Sequence, residues 1–129
     1  MTDEAEALRG QRILVVEDDY LVAQVLVDLL EEAGAEVIGP LGWVDEALAF
    51  IAEADHRFDG AVLDVNLHGD KSYPIADALA ARSICFVFAT GYGADALEGA
   101  YRDHRRCEKP FNQKTLIAVL NDLLPEVRT

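Results

Sequence analysis

The chain has 129 residues, enough for one compact domain with a buried core and too few for a second of ordinary size. Eleven Lys and Arg against 24 Asp and Glu give a net charge of −13, which argues against nonspecific nucleic-acid binding and against docking on anionic membranes. The balance suits a basic or metal-bearing partner. Two cysteines, Cys85 and Cys107, lack metal-ligand spacing and read as buried free thiols. Residues 1–10 are polar and acidic, a solvated leader without the apolar core of a signal peptide. No apolar run approaches the roughly 18 residues that span a bilayer, so the expected compartment is the cytoplasm.

Arg12-Ile13-Leu14-Val15-Val16 is a β-branched run that reads as the first strand and leads directly into Glu17-Asp18-Asp19. Leu21, Val22, Val25, Leu26, Leu29 and Leu30 follow at helical spacing, with Asp19 as N-cap and Gly34 as C-terminal stop. Glu36-Val37-Ile38-Gly39 reads as a second strand, ended by Pro40 and Gly42. Val44, Ala47, Leu48 and Ile51 make a second helix, ending near Ala54. Ala61 to Leu67 is an apolar run broken by Asp64. A lone carboxylate in a core is expensive, so Asp64 belongs at the open end of the third strand. His68 to Ser72 reads as a polar loop, with Pro74 at the first position of a short third helix carrying Ala76, Leu79 and Ala80. Ile84 to Ala89 is the fourth strand, ending at Thr90-Gly91. Ala94, Leu97, Ala100 and Tyr101 suggest a weaker fourth helix. Arg105 to Glu108 is a short fifth strand before Lys109-Pro110. Leu116, Val119, Leu120 and Leu123 mark the last helix.

Apolar strands alternating with amphipathic helices predict an α/β fold, a doubly wound parallel sheet of five strands with five helices on its two faces. In such sheets ligands bind beyond the carboxyl ends of the strands. Glu17 and Asp18 follow strand one, Asp64 ends strand three, Thr90 follows strand four and Lys109 follows strand five. Three carboxylates, a hydroxyl and an ammonium therefore converge on one edge. Clustered carboxylates repel one another and require a cation, and oxygen-only ligands select a hard one, Mg²⁺ or Ca²⁺. Asp18, Asp64 and a backbone carbonyl after Asp64 suit Mg²⁺. Lys109 adds a fixed positive charge, and Thr90 can donate to an oxyanion. The set suits transfer of a phosphoryl group onto Asp64.

Four segments carry a resemblance: Ile13-Leu14-Val15-Val16-Glu17-Asp18-Asp19, Leu63-Asp64-Val65-Asn66, Ala89-Thr90-Gly91 and Lys109-Pro110-Phe111. Over residues 11–125, leaving a tail at 126–129, the chain resembles the response-regulator receiver domains of two-component signalling. The resemblance implies a flavodoxin-like fold with strand order 2-1-3-4-5. It implies Asp64 as phosphoacceptor and Asp18, Asp64 and the Asn66 main-chain oxygen as Mg²⁺ ligands, with Glu17 acting through metal-bound water. Thr90 is then the switch hydroxyl and Lys109 the phosphate-binding lysine, its peptide to Pro110 cis. The implied partners are a sensor histidine kinase or histidine phosphotransfer protein and a downstream protein, with the chain a monomer or weak dimer. Its chemistry is that of a phosphoacceptor and not of a turnover enzyme. Phe88-Ala89-Thr90-Gly91 resembles a subgroup of mostly stand-alone receivers. The chain departs from the common pattern at Leu67-His68, where receivers usually carry Met-Pro, and at Arg106, where they usually carry Tyr or Phe.

Three other readings compete. An aspartyl-nucleophile phosphatase resembles Asp-x-Asp-x-Thr on its first strand, but here Asn66 stands two residues after Asp64, on the third. A flavodoxin-like cofactor carrier cradles a phosphate after strand one, where Glu17-Asp18-Asp19 would repel it. A non-phosphorylated pseudo-receiver would act as a binding adaptor, yet all five site positions are filled.

Overall fold

The computed structural model describes residues 7–53, 57–91, 97, 99–109 and 111–123. The chain runs β1 (Arg12–Val16), α1 (Tyr20–Glu32), β2 (Glu36–Leu41), α2 (Val44–Ala52), β3 (Gly60–Asp64), β4 (Asn66–Leu67), β5 (Asp70–Lys71), α3 (Tyr73–Ala81), β6 (Cys85–Thr90), a 3₁₀ turn (Gly99–Tyr101), β7 (Arg106–Glu108) and α4 (Gln113–Leu123). Five strands form a parallel sheet in the order β2-β1-β3-β6-β7. Setting aside the small β4–β5 ribbon, this is the order 2-1-3-4-5 that the resemblance implies. Four α-helices are present among the described residues. The expected fourth of five falls mostly on residues 92–96 and 98, outside the described residues, and its last part is the 3₁₀ turn.

Alternation along each strand sends side chains to opposite faces. Ile13, Val15, Val62, Val87 and Ala89 pack with Leu26 and Leu30 of α1 and Leu116 and Leu120 of α4. Leu14, Val16, Ala61, Leu63, Phe86 and Phe88 pack with Ala47 and Ile51 of α2 and Ile75, Ala76 and Leu79 of α3. Both faces of the sheet are covered, which explains why its strands read as continuous apolar runs. The Asp19 carboxylate caps α1, accepting from the Leu21 and Val22 N–H groups, and Gly34 follows the helix with φ +95°.

Three local expectations are corrected. β2 does not end before Pro40 but continues to Leu41 through an irregularity opposite Leu14–Val16, with Gly39–Pro40 cis. Proline is tolerated there because β2 is an edge strand. The stretch 66–72 is not a plain loop: Asn66–Leu67 and Asp70–Lys71 pair antiparallel around His68 (φ +50°) and Gly69 (φ +87°). Two consecutive left-handed residues are what a tight two-residue hairpin turn requires. Pro74 is the second helical residue of α3, after Tyr73. Cys107 is buried and Cys85 only partly so; both are free.

Candidate functional site

The carboxyl ends of β1, β3, β6 and β7 open on one edge, and the predicted polar residues meet there. Of the three consecutive acidic residues, Asp19 turns away to cap α1. Glu17 and Asp18 remain at the end of β1, with the Glu17 N–H donating to Leu41 O at 2.9 Å. The Glu17 side chain is 1% exposed, and its Oε2 accepts from the Asp19 N–H at 3.1 Å. Asp64 is the last residue of β3 and is more open, with 13% of its side chain exposed. Lys109 follows β7, where its N–H donates to Thr90 O at 2.6 Å and so ties the last two strands together at the site.

The Lys109 ammonium stands between the two carboxylates. Its Nζ lies 2.7 Å from Glu17 Oε1 and donates to Asp64 Oδ2 at 3.0 Å. The first is the shorter of two ion pairs on the same ammonium. The Asn66 N–H donates to Asp64 Oδ1 at 3.3 Å and the His68 N–H to Asp18 Oδ2 at 2.9 Å. Oxygens of Glu17, Asp18 and Asp64 lie within 4.8 Å of one another. Thr90 is buried at the end of β6. The structure thus brings together Glu17, Asp18, Asp64, Thr90 and Lys109, with Asn66 beside them. Pro110 lies outside the described residues, and with it the expected cis peptide after Lys109.

One ammonium does not balance three carboxylates. Burial, reinforced by hydrogen bonding to Asp64, pushes the Glu17 carboxyl up to about 8 against the attraction of Lys109. Lys109 is itself held above its usual range: burial opposes its charge, but Glu17 and Asp64 outweigh it. Burial also opposes the charge of Asp18. The His68 N–H and the Glu17 side chain outweigh it, holding Asp18 below the usual carboxylate range. A cluster that retains a proton near neutral pH has room for more positive charge. Its donors are all oxygens, so the residues fit a hard divalent cation.

Sequence reasoning missed two residues of the site's rim. Trp43 is 52% exposed at the start of α2 and stacks on His68, with ring centroids 3.5 Å apart and planes at 14°. Trp43 stands two residues after β2 and His68 directly after β4, but ending β2 before Pro40 and reading 68–72 as a loop hides both strand ends. The signal for His68 was the His68-Gly69 dipeptide, a left-handed turn pattern whose two-residue arms are too short to read as strands. Arg106 is exposed, and its Nη2 donates to Arg102 O at 2.9 Å, across the 3₁₀ turn's exit.

A parallel α/β sheet of this order, with an acidic cluster and a lysine beyond its strand ends, defines the receiver class. No family model matches the chain. SdrG from Sphingomonas melonis Fr1, solved in solution, is 43% identical over 89% of this chain and 95% of its own, with a TM-score of 0.77. The BeF3-activated conformation of SdrG is 42% identical over 84% and 94% of the two chains, with a TM-score of 0.71. The transcriptional regulatory protein PdtaR of Mycobacterium tuberculosis is 28% identical over 130 residues, which is 98% of this chain and 59% of PdtaR. The chain therefore spans only part of the curated relatives it matches. It belongs to the receiver-domain family of response regulators. Among the described residues, no helix is long and apolar enough to cross a membrane.

Proposed function

We propose that this chain is a single-domain response regulator that accepts a phosphoryl group on Asp64 from a histidine kinase or histidine phosphotransfer protein. The observation that carries the reading is the unequal burial of the two carboxylates on Lys109. Glu17 is enclosed, whereas Asp64 is open to an incoming donor. Asp64 is therefore the nucleophile. Its oxygen forms the new O–P bond as the donor's N–P bond breaks, and the departing imidazole takes up a proton. The Lys109 ammonium, already 3.0 Å from Asp64 Oδ2, neutralises charge on the transferring group. The Thr90 hydroxyl donates to a phosphoryl oxygen and carries the signal to the surface, which then presents itself differently to a downstream protein.

Asp18, Asp64 and the Asn66 main-chain oxygen would hold Mg²⁺, with Glu17 acting through water, and the ion supplies Lewis-acid neutralisation of the phosphoryl oxygens. The likeness to SdrG along 95% of its length, and the existence of a BeF3-activated form of that protein, support a receiver that works through its own surface. Phe88-Ala89-Thr90-Gly91 is what places it, in this reading, in the Phe-Ala-Thr-Gly subgroup of the family. Its site is that of a phosphoacceptor, working in the cytoplasm as a monomer or weak dimer.

Incubation with acetyl phosphate and Mg²⁺, read by intact mass, tests the reading. The wild type should gain one phosphoryl group and Asp64→Asn none. A phosphorylated Asp64→Asn protein would show that another group is the acceptor.

A further inference from the structure

The hairpin β4–β5 does more than connect β3 to α3. Its turn residue His68 has φ +50°, and this conformation points its backbone N–H at Asp18 Oδ2, 2.9 Å away. The imidazole of the same residue lies flat on Trp43, 3.5 Å between centroids. Gly42 lies beside both partners: a Cβ there would make ordinary contact with Asp18 Cα at 3.6 Å and with His68 Nε2 at 3.7 Å. Trp43, His68 and Asp18 are thus tied in series, from the start of α2 to the end of β1. Proline, which the family pattern favours at position 68, has no N–H and could not make the bond to Asp18.

We propose that the Trp43–His68 stack is a positioning latch for Asp18, holding the hairpin so that the His68 N–H fixes one carboxylate oxygen and leaves the other for a divalent cation. This rests on the reading of the site as one that binds Mg²⁺. An exposed hairpin turn is otherwise free to fluctuate, and a carboxylate without a fixed partner must be oriented at the moment of binding. Stacking of two flat rings restrains the turn at low conformational cost. Partners of metal ligands affect metal affinity by fixing ligand orientation, and their loss weakens binding by about tenfold or more. The cation also draws on the same carboxylate that accepts from His68, so binding must be felt by the rings. Trp43 is the single tryptophan of the chain and reports it directly.

The test is Mg²⁺ titration by calorimetry, with Trp43 emission followed in parallel on the wild type. Trp43→Ala and His68→Asn should each weaken Mg²⁺ affinity about tenfold. Asparagine tolerates the left-handed turn and keeps the N–H, so His68→Asn isolates the loss of the ring. Trp43→Phe keeps a stacking partner and should stay near wild type. The double variant Trp43→Ala/His68→Asn should be no weaker than either single one, because both break the same link. Wild-type emission should change on Mg²⁺ addition. Unchanged affinity in Trp43→Ala and His68→Asn, with normal binding by the wild type, overturns the latch and leaves the metal site standing. No Mg²⁺ binding by the wild type overturns both.

Discussion

Glu17 shows how a residue that never meets the donor can set the behaviour of the site. It is enclosed, paired to Lys109, and held at about 8 against an ordinary value of 4.5, chiefly by burial. A folded-state value above the unfolded one means that the folded protein binds the proton more tightly. The stability this confers is complete below about pH 4.5 and is lost as pH rises through about 8. Lys109 is also shifted upward, but from 10.5, so its contribution changes only above that window. Metal-free protein should therefore show a falling thermal midpoint between pH 5 and about pH 8.5, and Glu17→Gln, an uncharged near-isostere, should flatten the curve. Parallel curves for the two proteins would show that Glu17 is not the titrating group. The same titration couples to the cation. Charging Glu17 increases the attraction for Mg²⁺, so affinity should rise with pH across the same window.

Strands and helices were the most legible level. A β-branched run marked β1, apolar runs marked β3 and β6, and helical spacing marked α1, α2 and α4, because here periodicity and burial agree. The elements that escaped are those fixed by backbone geometry at single residues. β2 passes through Gly39 with φ +95°, where a Cβ would stand 2.7 Å from Val15 O, and only then reaches Leu41, whose carbonyl accepts from the Glu17 N–H. Nothing in the spacing of Glu36 to Leu41 reveals this, since Gly39-Pro40 reads equally well as the end of a strand. The close approach makes Gly39 a residue that places Glu17. Gly39→Ala combines a disfavoured φ with a clash against backbone, and should cost about 2 kcal/mol or more in denaturant unfolding. A loss under about 0.5 kcal/mol, the range of ordinary surface changes, would mean that β2 can shift without consequence. Most of the site was legible for a related reason: parallel topology assigns every strand end to one edge, so Glu17, Asp18, Asp64, Thr90 and Lys109 could be grouped before any distance was known. Trp43 and His68 could not, since their contact joins two loops and depends on a two-residue turn.

Across the whole molecule, the route from Asp64 to the surface must differ from one that uses an aromatic side chain at position 106. Arg106 opens β7 with its side chain exposed and tied to Arg102 O, so it does not fill an interior space. The rings near this end belong to other residues. Tyr101 stacks on Tyr73 at 5.8 Å, meets Phe88 edge-on at 5.5 Å, and donates its hydroxyl to Asp77 Oδ1 at 2.5 Å. Burial and the Asp77 hydrogen bond push the Tyr101 hydroxyl up to about 12, so it remains a donor at any physiological pH. His104 stacks on Phe86 at 4.3 Å and bonds Phe86 O at 2.8 Å. Phe88 stands two residues before Thr90 on β6, so a shift of the threonine towards a phosphoryl group reaches Tyr101 through one ring, and α3 through the Asp77 bond. Tyr101 and His104 are therefore anchored to the sheet and to α3, and the change should pass through Tyr101 into α3. Hydrogen exchange with and without beryllofluoride should show altered protection in β6 and around Tyr101, extending into Tyr73–Ala81. Tyr101→Phe keeps the rings and their stack on Tyr73 but removes the bond to Asp77, and should leave the β6 response while reducing that in α3. Arg106→Ala should leave both intact. If the α3 response survives undiminished in Tyr101→Phe but disappears in Arg106→Ala, the signal leaves through β7 and not through the aromatic cluster.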